Sequence, residues 1–370
     1  MKKIDNNTKA FLELIKAGLW EKEVRLFPIG RFDFASIQQF AEEQSVVGLV
    51  TAGLDHVKDM TVPQEYSLLF TGQTLQLEQR NQAMNYFIGV LVEKMRGEGI
   101  DTVLVKGQGV AQCYERPLWR ACGDVDFFLS KDNYLKAKEF LIQLATSVEE
   151  EDMLRLHLGM TIDPWVVELH GTMHGNLSKG INVVLDKVYS SVFFQGNVRS
   201  WINDGIPVFL PAANDDVIII FTHFINHFYV GGVGLRQICD WCRLLWKYKN
   251  EVDIDLLSQR LEEMGLISEW KAFASLAVDY LGMPTEGMPL YVNSKRQKKQ
   301  SRKILNLIIE AGNFGHNIDE SYRNKHPWLV EKSITFWKRL AQFIRKTTIF
   351  PLDSIRFFFT YVARRAKSFI

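Results

Sequence analysis

Cysteine is scarce in this chain: Cys113, Cys122, Cys239 and Cys242 are the only four in 370 residues. Disulfides are not needed at this size, and a reducing cytoplasm fits. Cys239 and Cys242 form a Cys-x-x-Cys, but Cys113 and Cys122 are not spaced as a zinc-binding counterpart. Helical periodicity around the pair, with Trp241 and Leu244, favours two packed thiols over metal or redox use. Long apolar runs are also missing. None approaches the roughly 18 residues that a membrane span needs, and the best candidate, Val217 to Phe221, runs on into Thr222 and His223. The opening MKKIDNNTKAFLELIKAGLW has no long apolar core or small-residue cleavage site, so no secretory leader is expected. An excess of one charge is absent too: 44 Lys and Arg against 43 Asp and Glu give a net +1. That balance disfavours long nucleic acid as a partner. No internal repeat or low-complexity tract is evident.

What is present reads as an α+β protein. A length of 370 residues exceeds the usual single core, so several modules are expected. Residues 1–95 read as an N-terminal helical region that leads into one long helix from Gln73 to about Arg96. Residues 96–210 read as a small α/β core. Its expected strands are Asp101 to Val105, Gly123 to Leu129, Met153 to Leu158, Trp165 to His170 and Val208 to Leu210. An amphipathic helix is expected over Lys131 to Ala145, and a turn at Asp163-Pro164. Residues 211–330 read as a C-terminal helical domain, with Asn214 and Asp215 as N-caps for the helix Val217 to Tyr229. Lys295 to Lys303 reads as a solvated basic run before a helix ending near Ala311. Residues 331–370 form a basic, aromatic helical tail, which either packs on its own protein or lies on a membrane surface.

The chemistry concentrates in VLVKGQGVAQCYERPLWRACGDVDFFL, Val103 to Leu129. Asp124 and Asp126, two apart on a strand, point to one face, with Val125 turned into a core. Like charges so close repel, and a cation would neutralise them. Glu168, in Val166-Val167-Glu168-Leu169-His170, is the best third oxygen ligand; the bland alternative is a solvated hairpin face. Hard divalent ions select carboxylate oxygen, and two such ions can clamp the oxygens of an in-line phosphoryl transfer. Lys106-Gly107 closes a strand and opens a short helix from Gln108, where Gly permits close backbone approach to a phosphate. Arg120 reads as a phosphate clamp or a surface ion pair. His170 shares the face of Glu168. His223 and His227, one helical turn apart, read as lining a cleft or capping a core, and Arg236 and Asp240 as pairing with each other or reaching that cleft.

Together, Leu104-Val105-Lys106-Gly107, Arg120, Gly123-Asp124-Val125-Asp126 and Val167-Glu168-Leu169-His170 resemble the uncharacterised bacterial nucleotidyltransferase family of the polymerase-β-type superfold. His223, His227 and Gly234-Leu235-Arg236-Gln237-Ile238-Cys239-Asp240 are similar to that family's helical C-terminal pattern. The likeness covers roughly residues 10–300. It implies a small mixed-sheet nucleotidyltransferase core flanked by helical regions, an NTP substrate and two Mg²⁺ ions, with Mn²⁺ an alternative. Asp124, Asp126 and Glu168 would be catalytic metal ligands; Lys106, Gly107, Gln108, Arg120 and Gly123 would hold the nucleotide. His170, His223, His227, Arg236 and Asp240 would line the cleft or meet the acceptor. Lys-Gly-Gln replaces the superfold's usual Gly-Ser, and the gap from Gly107 to Asp124 is longer than its norm. The implied reaction moves an NMP group from NTP to a hydroxyl of a small molecule, a protein or an RNA end. An inactive nucleotide- or partner-binding regulator and a peripheral membrane or assembly protein remain the alternatives.

Overall fold

The computed structural model describes residues 4–175, 178–313, 317 and 328–358. Three helices, α1 (Asn6–Trp20), α2 (Phe34–Glu43) and α3 (Val47–Asp55), lead into the long α4 (Gln64–Gly97). The α/β part follows as β1 (Val103–Val105), α5 (Gly107–Ala111), β2 (Asp124–Phe128), α6 (Lys131–Ile142), β3 (Ser147–Val148), β4 (His157–Ile162) and β5 (Trp165–His170). Next come α7 (Lys179–Phe194) and the hairpin β6 (Val198–Asn203) and β7 (Ile206–Pro211). Further helices are α8 (Ala213–Val230), α9 (Leu235–Lys247), α10 (Ile254–Met264), α11 (Ile267–Leu281), α12 (Lys295–Ala311) and α13 (Trp328–Thr347), and residues 351–358 are helical as well. The fold is α+β, as the sequence implies.

Five strands form a mixed sheet in the order β1-β2-β5-β4-β3, with β2 and β5 parallel and the other pairs antiparallel. Alternation along the strands gives the sheet two different faces. Val125, Phe127, Leu158, Met160, Val167 and Leu169 are buried against α4 and α6, where Met84, Ile88, Tyr134 and Leu141 complete a core. Ser130 starts α6 by accepting from the Asn133 N–H. The opposite face carries the carboxylates and histidines, and it turns apolar at Val103, Val105 and Phe128, the last against Tyr189 and Phe193 of α7.

A second core joins α1–α3 to α7–α12. Its centre is aromatic: the Trp241 and Trp270 rings meet edge-on at 4.7 Å, with Phe221, Phe224 and Phe273 around them. Each such side chain contributes about 2–3 kcal/mol by leaving water. Cys239 and Cys242 are buried here as free thiols, as the helical periodicity predicts. Because α8 and α9 belong to this core and also overhang the polar face of the sheet, the same packing that stabilises the helices positions one wall of a cleft.

Several local expectations shift. The long helix begins at Gln64, directly after Pro63, because the exposed first turns need no apolar period to stay helical. The strand expected at 153–158 lies at His157–Ile162, because β4 pairs with β5 through the Asp163-Pro164 turn. α6 ends at Ile142, short of the expected Ala145, and its Leu135 is exposed. β6, VRSWIN, escapes a reading by pattern because its apolar and polar residues do not alternate. Neither Asn214 nor Asp215 caps α8; Ala212 holds that position. Asp215 and Asp216 are instead buried and paired to Arg260 and Arg199, tying α8 to α10 and β6. The basic run from Lys295 is the first half of α12 itself, capped by Ser294. In the tail, Ile349, Phe350 and Phe357 are buried on the helical core, while Trp337 and Ile344 are exposed. Residues 359–370, which hold the end of the basic aromatic stretch, lie outside the described residues.

Candidate active site

Register builds the site. In the parallel pair, Asp126 lies beside Glu168, and Asp124 precedes Asp126 on the same face. In the antiparallel pair, His157 lies opposite His170. Neighbouring strands are about 4.8 Å apart, so Asp126, Glu168, His170 and His157 form a polar row across β2, β5 and β4. Asp126 is almost fully buried. Its Oδ1 accepts from Lys106 Nζ at 2.6 Å and from His170 Nε2 at 2.7 Å. Glu168 Oε2 lies 3.2 Å from His157 Nε2 and 3.4 Å from His170 Nε2.

Lys106 owes its position to an unusual backbone. It has φ 59° and ψ −145°, and Gly107 follows with φ 38°. A non-glycine residue held there stores roughly 1–3 kcal/mol of strain. The turn carries the chain from β1 into α5 and leaves the ammonium facing Asp126. At Gly107 a Cβ would also press on Cys122 Sγ at 3.2 Å and the Asp124 carbonyl at 3.4 Å. Glycine is therefore needed there for both conformation and space.

Charges in the row act on one another. Repulsion from Asp126, with burial, pushes the Asp124 carboxyl above its ordinary range. Hydrogen bonds from His157 and then His170 hold the Glu168 carboxyl far below it. Burial works against the Lys106 ammonium, but attraction to Asp126, Glu168 and Asp124 prevails and raises it. Burial and Lys106 work against a charged His170, but its bonds to Asp126 and Glu168 prevail. Across the cleft, burial drives His223 well below the usual imidazole range, and His227 down to about 4. Both are therefore neutral near pH 7, and their rings stack edge-on at 4.5 Å.

A cavity of about 380 Å³ separates these two walls. Its floor is the row of carboxylates with Lys106 and Gly107; its roof is His223, Asn226 and His227 of α8 and Arg236 of α9. The size suits a small-molecule or nucleotide site. The structure thus brings together Asp124, Asp126, Glu168, Lys106, Gly107, His170, His223, His227 and Arg236 around one space.

Other expected site residues are placed differently. Arg120 reaches the cavity wall, but its guanidinium fork is engaged with Asp240: Nε to Oδ1 at 3.0 Å and Nη2 to Oδ2 at 2.7 Å. Asp240 pairs with Arg120 and the Tyr114 hydroxyl, and with Arg236 it lines the cavity, one of the two outcomes expected of them. Arg236 donates to the Ala121 carbonyl at 2.7 Å. Gln108 is buried against α4, donating to Asn81 Oδ1 at 2.8 Å, and does not line the cavity. Gly123 is exposed, and a Cβ at that position would meet open space.

Sequence reasoning missed His157, His174 and Asn226, which also line the cavity. For His157 a signal existed. A two-residue turn at Asp163-Pro164 pairs Ile162 with Trp165, and five steps back along each strand pairs His157 with His170. No comparable signal marks Asn226, whose place depends on how α8 packs over the sheet. Among the described residues, no helix is long and apolar enough to cross a membrane.

Comparison with known proteins bears on this geometry. No curated protein and no solved structure matches the chain. A family model described as an uncharacterised nucleotidyltransferase matches residues 30–282, a span that holds the whole cavity. The chain belongs to that uncharacterised nucleotidyltransferase family.

Proposed function

We propose that the protein transfers an NMP group from an NTP to a hydroxyl of an acceptor, with release of pyrophosphate. The observation that carries this reading is the placement of Asp124, Asp126 and Glu168 on one face of adjacent parallel strands, at the floor of a cavity. Three carboxylates in a row are the oxygen donor set that Mg²⁺ or Mn²⁺ takes. The mutual repulsion of Asp124 and Asp126 is what bound cations would relieve. The donor chemistry therefore suits divalent ions, and Glu168 also belongs to a group, with His157 and His170, whose donor atoms lie within 4.8 Å of one another. When bound, such ions would supply Lewis-acid polarisation and charge neutralisation at the reacting phosphate.

The chain's own residues have distinct parts. Lys106 places a buried ammonium beside the carboxylates, where triphosphate charge would collect. Gly107 borders the cavity and lets the turn pack on Cys122 and the Asp124 carbonyl. Arg236 adds positive charge to the roof, while Arg120 is a fixed, paired cation that orients Asp240 rather than a free phosphate clamp. Glu168 stays ionised and offers a carboxylate oxygen to a cation at the floor of the cavity. The neutral imidazoles of His223 and His227 suit an uncharged polar group on the acceptor or nucleotide.

Incubation of the protein with each α-labelled NTP and Mg²⁺ or Mn²⁺, with lysate as acceptor source, tests the reading. Label should move onto a small molecule, protein or RNA end, and Asp126→Asn should abolish transfer while circular dichroism shows the fold retained. Transfer that survives Asp126→Asn would overturn the assignment. A wild-type protein that binds NTP but transfers nothing would favour the regulator instead.

A further inference from the structure

The polar row contains more nitrogen than an all-oxygen metal site needs. His157 Nε2 and His170 Nε2 both face Glu168 Oε2, at 3.2 Å and 3.4 Å, and the three donor atoms all lie within 4.8 Å of one another. Divalent sites with ligand bonds of about 2.1 Å hold neighbouring donors roughly 3.0–3.4 Å apart. Two of the three separations already have that size. All three side chains border the cavity, so a cation can reach them from solvent. Their arrangement is fixed by sheet register rather than by a loop, because His157 and His170 are cross-strand partners and Glu168 is two residues from His170 on β5.

We propose that His157, Glu168 and His170 form a mixed nitrogen–oxygen metal position beside the Asp124–Asp126 oxygen position. It would select a borderline cation such as Mn²⁺, Co²⁺ or Zn²⁺ over Mg²⁺. The selection follows from ligand chemistry. Imidazole suits first-row transition metals and zinc, whereas Mg²⁺ takes hard oxygen and gives up its water reluctantly. Glu168 is then shared between the two positions, and His170 Nε2, which would ligate the cation, exchanges its 2.7 Å hydrogen bond to Asp126 Oδ1 for the metal bond when the cation binds. The proposal rests on the reading of this cavity as a metal-dependent transfer site and specifies the cation at one of its positions.

The test uses metal binding rather than turnover. The full-length chain, stripped with chelator, is titrated with Co²⁺ while visible absorption is recorded, and with Mn²⁺ and Mg²⁺ by calorimetry. Wild type should develop cobalt d–d bands and bind Mn²⁺ more tightly than Mg²⁺. Outer partners of ligands alone shift metal affinity about 10- to 100-fold, so His157→Ala should weaken cobalt binding on the order of tenfold or more. His157→Gln, which can still hydrogen-bond to Glu168 but ligates poorly, should keep the fold and lose the bands as well. Cobalt and manganese binding unchanged in both variants, or Mg²⁺ bound by wild type as tightly as Mn²⁺, would overturn the proposal. Histidine-dependent cobalt binding in a protein that transfers no nucleotide would sink the transfer reading and leave this site standing. Magnesium-supported transfer with histidine-independent cobalt binding would do the reverse.

Discussion

Asp240 lines the cavity and also holds its arginine wall together. It accepts from Arg120 twice and from Tyr114 once, and all three residues are buried. Burial and the nearby Arg120 already push the Arg236 guanidinium down, so Asp240 is the counter-ion that lets two arginines share this end of the cleft. Asp240→Asn would leave a buried guanidinium without its charge partner. Breaking such a pair costs about 3–5 kcal/mol, and chemical denaturation should show a loss of that order. A loss under about 1 kcal/mol, the range of exposed pairs, would mean that Arg120 is compensated elsewhere. Lys106 is the second residue of this kind. Its left-handed φ is costly, and the salt bridge to Asp126 and the Gly107 turn are what keep it there.

Elements carry a different kind of coupling. Glu269, inside α11, is fully buried and accepts from the Tyr229 hydroxyl of α8 at 2.7 Å. Burial, with repulsion from Asp353, raises its carboxyl to about 8. The sign follows directly. The folded state keeps the proton over a range where the unfolded chain has lost it, so this group's contribution is full below the usual carboxylate pKa and declines as pH rises towards 8. Glu269→Gln should flatten that decline, and thermal melts at pH 5 and pH 8 should differ less in the variant than in wild type. An equal pH dependence in both would show that Glu269 is ionised when folded.

The elements also show what the sequence makes legible. β5 matches its expected span, Trp165 to His170, because the Asp163-Pro164 turn marks its start and Val167 and Leu169 alternate with Glu168 and His170. The carboxylate row is legible for the same reason: a strand period of two fixes which residues share a face. β4 is displaced by four residues from its expected start because Met153 to Leu158 also alternates, and only pairing with β5 decides between the two registers. The Arg120–Asp240 pair spans 120 positions and depends on α9 packing beside the turn before β2, which no local pattern encodes. Gln108 departs from its expected place because helix onset at Gly107, rather than one residue later, turns its side chain towards Asn81.

At the scale of the molecule, one apolar core joins the beginning of the chain to residues beyond 211. Trp20 Nε1 donates to the Leu281 carbonyl at 2.6 Å, and Arg243 donates to the Leu19 carbonyl at 3.0 Å. α1 contributes Phe11, Leu14 and Ile15 to that core, all fully buried. We propose that the four sequence regions are arranged as interdependent layers rather than independent units. Removal of residues 1–25 should therefore destabilise α8, α9 and α11, and with them the roof of the cleft. Limited proteolysis should cut the truncated chain within 211–282 at conditions where the intact chain resists. Protection in that span equal to wild type would show that the later helices stand alone.

The two-residue connection between β4 and β5 has a final consequence. Side chains along a strand alternate between faces, so inserting a single amino acid at Asp163-Pro164 would present Leu158 to the carboxylates and send His157 into hydrocarbon. Length at that bend thus works as a parity lock: chains that share this chemistry can grow or shrink in other connections, but there only by even steps.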